Sequence, residues 1–317
     1  MNESLSTPEQ TYHVGQTYLL HEQIAAMWEV SGIATPTETP PEYIARFYAR
    51  LNEGAGKPCI FTPHLGEFGH QIISGIRLVH WHKASEKVVC CREGEQVLFP
   101  SASSFVTDWT SPPEYRDATT AGSMRSPVEM WGTITSRYPK HLPIEQGGLS
   151  HIQELLPIHP SERIPFSPRR RGLRADVLIG IRNRAFHTQK NYPHWQTIAD
   201  ALRAEGRTYA VIGDRATSLQ LDGMEWHSGD YDTDAAIEAM QEPGTVYVGT
   251  CTGSAHLSAA VGCSMIIIRE QWFGRDFGPI METYNPGRIE TLTNVWENPG
   301  EVIAAILAAA TTRHRTG

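Results

Sequence analysis

From Lys57 onward, short apolar runs bounded by Gly, Pro and polar residues alternate with stretches of helical spacing. "CIFTP" (59–63) reads as a buried strand, "GEFGHQIISGIRLVHWH" (66–82) as a loop running into a helix, and "KVVCC" (87–91) as a second strand. Such a strand–loop–helix–strand unit favours a parallel sheet, because parallel neighbours need a crossover long enough to hold a helix. From Val97 to about Pro165 the pattern fades into Ser, Pro, Gly and Trp, which predicts loops and short strands. "PFSPRRRGLRADV" (165–177) joins prolines to a basic run and reads as a linker.

Beyond it the alternation is regular. "VLIGIR" (177–182), "RTYAVIG" (207–213), "TVYVG" (245–249) and "MIII" (265–268) read as strands. Between and after them "NYPHWQTIADALRAEG" (191–206), "DTDAAIEAMQ" (232–241) and "NPGEVIAAILAAATTRH" (298–314) read as helices. Pro193 sits near the start of the first and Gly206 at its end, with Trp195, Ile198, Ala199 and Leu202 as its apolar stripe. Asn298 is placed to cap the last, with Pro299 at its first position. Upstream of Lys57, "HEQIAAMWEVSG" (21–32) and "PPEYIARFYARLNEG" (40–54) have helical spacing and end at glycine. The implied organisation is a helical extension (1–57), a first Rossmann-like α/β domain (58–168) and a second doubly wound α/β domain (169–317). Ligands are expected at the carboxyl ends of the strands and in a cleft between the two domains.

Composition narrows the function classes. The 317 residues are 40% hydrophobic and 20% charged, as in a globular protein of one large or two ordinary domains. The formal net charge of −8 disfavours nucleic acid and anionic membrane as partners. "VIAAILAAA" (302–310) is far too short to span a bilayer, so no integral membrane association is expected. The polar, acidic start is unlike a secretory signal. Cys59, Cys90, Cys91, Cys251 and Cys263 form no CxxC pair; Cys90 and Cys91, in the apolar run "KVVCC", read as buried free thiols, and a reducing, cytoplasmic setting is expected.

Three stretches carry candidate chemistry. In "GTCTGSAHLSAAVG" (249–262), Thr252, Gly253 and Ser254 fall where a strand ends and a helix begins. Exposed N–H groups and the positive end of the helix dipole make that point an anion site, and His256 lies on the first turn. The same residues also suit an ordinary β–α turn with a small-residue helix packed tightly on the sheet, and both readings stand. In "IRNRAFHTQKNYP" (181–193), Arg182, Arg184 and Lys190 follow a strand on the same rim and are placed either to neutralise phosphate or to form a solvated basic loop. In "HLGEFGHQI" (64–72), Glu67 or His70 is a candidate general base, against the alternative of a Gly-rich turn with a solvated carboxylate.

Other stretches read better structurally. Asp230, Asp232 and Asp234 precede a helix and suit capping; His80 and His82 of "HWH" read as surface residues near a helix end; "RRRGLR" (169–174) reads as solvated linker or a secondary contact for an anionic substrate. No zinc spacing, G-x-S-x-G elbow, Walker phosphate loop or G-x-G-x-x-G fingerprint occurs. Hydrolase, nucleoside-triphosphatase and dehydrogenase readings lose ground accordingly.

The linked segments "VLIGIRNRAFHTQKNYPHWQTIADALRAEGRTYAVIGD" and "VYVGTCTGSAHLSAAVGCSMIII" resemble the second domain of the lipopolysaccharide heptosyltransferases, over roughly 176–269. That family has a lysine before an aromatic–Pro pair, matched by Lys190 and "NYP", and an Asp-[ST]-Gly-x-x-His-Leu-x-x-Ala loop and helix. The latter is matched by Thr252, Gly253, His256, Leu257 and Ala260. "LGEFGHQI" puts Gly66 and Glu67 where the family has a Gly-Asp pair carrying its base, and Cys251 stands where the family has the loop's aspartate. The resemblance implies a GT-B fold, two Rossmann-like domains facing across a cleft. It also implies metal-independent transfer of a sugar from a nucleotide-diphosphate donor, with no cofactor, to an acceptor hydroxyl. The Cys251 departure points to a sugar or acceptor other than the family's own: a glycan, a lipid-linked core, a small molecule or a polypeptide. A nucleotide-sugar epimerase and a non-catalytic nucleotide- or glycan-binding relative are the alternatives.

Overall fold

Every strand pair among the described residues is parallel, and the strands form two sheets. The computed structural model describes residues 49–64, 68–109, 128–146, 163–184, 188–213, 215, 218–228, 232–269, 281–282 and 284–311. The chain divides into two units, Met1–Ile158 and His159–Gly317, each with one sheet. The helix expected over 21–32 and most of the one over 40–54 lie outside the described residues, and 49–54 is helical.

In the first unit β1 (Pro58–Phe61), β2 (Glu86–Cys90), β3 (Ser104–Val106) and β4 (Leu142–Ile144) lie in the order β3-β2-β1-β4. The chain moves outward from β1 to β3 and then returns to the other side of β1 as β4. Helix α1 follows β1 in three pieces: Phe68–His70, a wider π-helical turn Gln71–Gly75, and Ile76–Trp81. Its Ile72, Ile73, Ile76 and Val79 are buried. Helix α2 (Val128–Thr135) lies where the sequence predicts only loops and short strands. Its Gly, Val and Thr residues are weak helix formers, and packing supplies what propensity does not: Ile134 joins the cluster of Ile60, Val88, Cys90 and Val106.

His82 is not the surface residue expected of it. Its ring is 2% exposed, Nε2 donates to the Leu51 carbonyl (2.9 Å), and Nδ1 accepts from the Ala84 N–H (3.1 Å). This pairing needs the neutral Nε2–H tautomer, and it ties the 49–54 turn to the end of α1. Burial, helped by the charge of Lys87, pulls the ring's pKa below its ordinary 6.5. Between the lowered folded pKa and 6.5 the unfolded chain binds more protons at this site, so stability rises with pH there and is lost as pH falls below about 6.5. Urea midpoints are expected to drop between pH 7.5 and 5.5, with a shallower drop in His82→Gln. An equal drop in both proteins would place the acid sensitivity elsewhere. Lys87 caps the other side of the same helix end, donating to Val79 O (2.7 Å) and His80 O (3.0 Å). Burial, with Lys83 nearby, pushes its ammonium down to about 8.

Among its described residues the second unit has six strands: β5 (Val177–Gly180), β6 (Tyr209–Ile212), β7 (Trp226–His227), β8 (Val246–Gly249), β9 (Ser264–Arg269) and β10 (Ile289–Thr293), in the order β10-β9-β8-β5-β6-β7. Strands β7 and β10 are absent from the sequence reading. Both lie at sheet edges and are only partly buried, so neither shows a continuous apolar run. Alternation along the strands divides the side chains between faces. Val177, Ile179, Val246, Val248 and Ile266 pack against α3 (Trp195–Ala204) and α6 (Pro299–Thr311) through Trp195, Ile198, Leu202, Val302 and Ile306. Leu178, Gly180, Tyr247 and Gly249 take the opposite face. On the rest of the chain lie α4 (Thr233–Gln241), packed on α5 (Gly253–Val261), which contacts β8 and β9.

The acidic residues at the start of α4 and along it serve the fold. Asp232 caps the helix, accepting from the Ala235 N–H (3.0 Å). Asp234 accepts from the Arg169 N–H (2.7 Å), and Glu238 accepts from the N–H groups of Arg171 and Gly172. The basic run, read from sequence as solvated linker or a secondary contact for an anionic substrate, therefore has a docked backbone, with exposed side chains at Arg169, Arg170 and Arg171. Asp230 lies outside the described residues.

Candidate functional site

The order of the second sheet defines where its loops converge. From β5 the chain runs out to β6 and β7, then returns to the opposite flank of β5 as β8, β9 and β10. The direction reverses between β5 and β8, which end side by side with Gly180 paired to Gly249. Such a switch point leaves a crevice outside the strand ends, because the two adjoining loops lead to helices on opposite faces. Those loops are the two picked out by sequence: Arg182, Arg184 and Lys190 follow β5, and Thr252, Gly253 and Ser254 follow β8.

Each loop is fixed by neutral side chains. Asn191 accepts from the Arg184 N–H through Oδ1 (3.1 Å) and donates to the Arg184 carbonyl through Nδ2 (2.6 Å), clamping the loop after β5 at its neck. Tyr192 then plugs into the core, edge-on to Trp195 (5.1 Å) and Trp296 (5.2 Å). The aromatic of "NYP" is thus an anchor that sets where Lys190 falls, on a 3-10 turn Thr188–Lys190. Across the crevice Thr250 Oγ1 donates to the Lys190 carbonyl (3.1 Å) and joins the two loops. Arg182 is buried, and Arg184 and Lys190 are half-buried.

Helix α5 opens with Thr252 in an extended N-cap conformation (φ −136°, ψ 173°), but its side chain makes no capping bond to a helix N–H. It closes at Gly262 in the left-handed region (φ 88°), whose N–H reaches Ser258 O (3.1 Å). His256 is buried on the first turn, its N–H donating to Thr252 O (3.2 Å).

A residue that the sequence reading missed organises this end of the sheet. The phenol of Tyr247 is buried and runs along its face toward the strand ends. A Cβ on Gly249, or on Gly180 in the neighbouring strand, would overlap the phenol, so both glycines make room for it. Its hydroxyl meets Ser254 Oγ (2.9 Å) and Thr252 Oγ1 (3.4 Å), and these two hydroxyls meet each other (2.9 Å). Burial pushes the phenol up to about 12, against the opposing pull of the Ser254 and Thr252 hydrogen bonds, so it keeps its proton at neutral pH. The available signal was glycine at the end of two apolar strands, one of them two residues after a tyrosine.

The first unit repeats the arrangement on a smaller scale. Its sheet reverses between β1 and β4, and the "HLGEFGHQI" loop leaves β1 there. Buried Gln146, just after β4, donates through Nε2 to Cys90 O (3.2 Å) and Phe61 O (3.4 Å) across the strand ends. The backbone of His70 lies on the first turn of α1, and Glu67 lies outside the described residues. Cys59, Cys90, Cys91 and Cys263 are buried free thiols, and Cys251 is half-buried on the loop after β8. Among the described residues no helix is long and apolar enough to cross a membrane.

A glycosyl transferase of family 9 from Veillonella parvula has a similar structure, with a TM-score of 0.51 and 12% identity over 82% of this chain and 97% of that one. The ADP-heptose lipopolysaccharide heptosyltransferase II of E. coli aligns at a TM-score of 0.49 and 10% identity, over 80% of this chain and 99% of that one. No family model matches the chain, and no curated protein matches it. The fold is that of the GT-B glycosyltransferases, an α/β fold of two Rossmann-like units.

Proposed function

We propose that the protein is a glycosyltransferase that moves a sugar from a nucleotide-diphosphate donor to an acceptor hydroxyl. The observation that carries this reading is the joined pair of loops at the β5/β8 switch point, cationic on one side and opening a helix on the other. The likeness in fold to a family 9 glycosyl transferase supports it. On this reading the second unit binds the donor. The diphosphate lies against the backbone N–H groups of Thr252, Gly253 and Ser254, with His256 behind them on the first turn. Lys190, with Arg182 or Arg184, offsets the charge that develops on the leaving diphosphate. Fixed cations and helix N–H groups serve that role without a metal ion, because they are aimed before the charge appears. Glu67, with His70 as its rival, removes the proton of the acceptor hydroxyl. The acceptor is a glycan, a lipid-linked core, a small molecule or a polypeptide.

A thermal-shift panel with ADP, GDP, UDP, TDP and CDP, each with and without magnesium, tests the donor half of the reading. A diphosphate at 100 times its dissociation constant stabilises by about 2.7 kcal/mol, a shift of several degrees for a chain of this size. One winner, unaffected by magnesium, is the expected result. Silence across all five would remove the nucleotide-sugar reading.

A further inference from the structure

We propose that Tyr247 is a positioning residue for the donor site: its phenol holds the N-cap hydroxyl of α5 away from the helix, leaving the first-turn N–H groups to a diphosphate. This rests on the donor reading given above. A threonine at an N-cap ordinarily turns its hydroxyl back to accept from an N–H of the first turn. Asp232 makes that bond to Ala235 on α4 of the same unit (3.0 Å). Thr252 has the extended backbone that allows it, yet makes no such bond. Its Oγ1 instead lies 2.9 Å from Ser254 Oγ and 3.4 Å from the Tyr247 hydroxyl, which is itself 2.9 Å from Ser254 Oγ.

Each of these three hydroxyls has one proton, and a triangle lets each donate to the next. The ring of hydrogen bonds engages Thr252 Oγ1 on the hydroxyls of Ser254 and Tyr247, away from the N–H groups of Gly253, Ser254 and Ala255. The phenol reaches this point only through the lane left by Gly180 and Gly249. A phenylalanine at residue 247 would fill the lane as well. The hydroxyl at the lane's end, facing two loop hydroxyls, is what an apolar residue would not supply.

Tyr247→Phe keeps the ring in its lane and removes the oxygen. The ring of three hydroxyls is then opened, leaving Thr252 Oγ1 with Ser254 Oγ alone and able to turn toward the donors that a diphosphate would use. Affinity for the diphosphate that wins the thermal-shift panel is expected to fall about fivefold to tenfold, the scale of one N-cap exchange, with the melting temperature of the free protein unchanged or raised. Adding Thr252→Val to Tyr247→Phe removes the competing hydroxyl and is expected to restore most of the affinity. That recovery separates positioning from general support, because a merely structural role makes the double variant worse than the single one. Isothermal titration of the three proteins decides the matter. Unchanged affinity in Tyr247→Phe, or a further loss in the double variant, overturns the inference and leaves the donor reading standing. If the wild-type protein binds none of the five diphosphates, the donor reading itself fails, and this inference with it.

Discussion

Replacing Glu67 by Gln is expected to lower the rate of sugar transfer by about 10²–10⁴-fold, the usual contribution of a positioned general base. Donor binding should survive. The amide keeps the size of the carboxylate but cannot take up a proton at neutral pH, so the acceptor hydroxyl has to attack without assistance. The donor contacts proposed here lie in the second unit, on the loops after β5 and β8, and none involves residue 67. The measurement is single-turnover transfer with the winning donor, beside titration of the corresponding diphosphate. A loss of binding in step with turnover would show that Glu67 is not the base, and His70→Asn would then be the next variant. Release of nucleoside diphosphate without any acceptor, at the full wild-type rate, would favour the epimerase alternative over transfer.

Gly180→Ala should have the largest effect on stability of any one-carbon change in the second unit. The added methyl falls inside the Tyr247 phenol, on a strand hydrogen-bonded on both sides, so the backbone cannot yield easily. Overpacking of this kind costs about 1–3 kcal/mol and sometimes more. Tyr247→Val alone should also destabilise, by emptying the lane. Made together, the two changes relieve the overlap, so their combined cost should be smaller than the sum by about 0.5–3 kcal/mol, the range for contacting residues. Urea unfolding of the four proteins gives this coupling directly. Strict additivity would mean that the tyrosine ring does not run over Gly180.

The two experiments address different links. The first asks whether a carboxylate known only from its place in the sequence performs chemistry. The second asks whether the end of the second sheet is packed as described, which is the premise for Tyr247 acting on the loop.

How much of this was legible in the sequence follows from burial. "VLIG", "YAVI" and "VYVG" are buried along their whole length, so their apolar runs mark strands unmistakably. Trp195, Ile198, Ala199 and Leu202 repeat at helical spacing because one face of α3 lies on the sheet. Edge strands such as Ile289–Thr293 are exposed or only half-buried along their length and carry Glu and Thr, so they merge into the surrounding loop. Helix α2 is held by contacts far away in sequence, which no local window contains. His82 looked like a surface residue because its partners, Leu51 and Ala84, are backbone groups that any sequence provides.

The sequence by itself determined that strands and helices alternate, that glycine and hydroxyl residues open α5, and that cations cluster before α3. Those are local properties, set by side-chain period and by the residue types that caps and turns require. Only the tertiary structure decided the order of the strands, and with it that the loops after β5 and β8 meet at a reversal of the sheet. It also decided that the Thr252 and Ser254 hydroxyls face Tyr247 and not the helix. Strand order comes from pairing between residues far apart in the chain, such as Gly180 with Gly249. The energy that selects it lies in packing across the whole sheet, and no stretch of ten or twenty residues contains it.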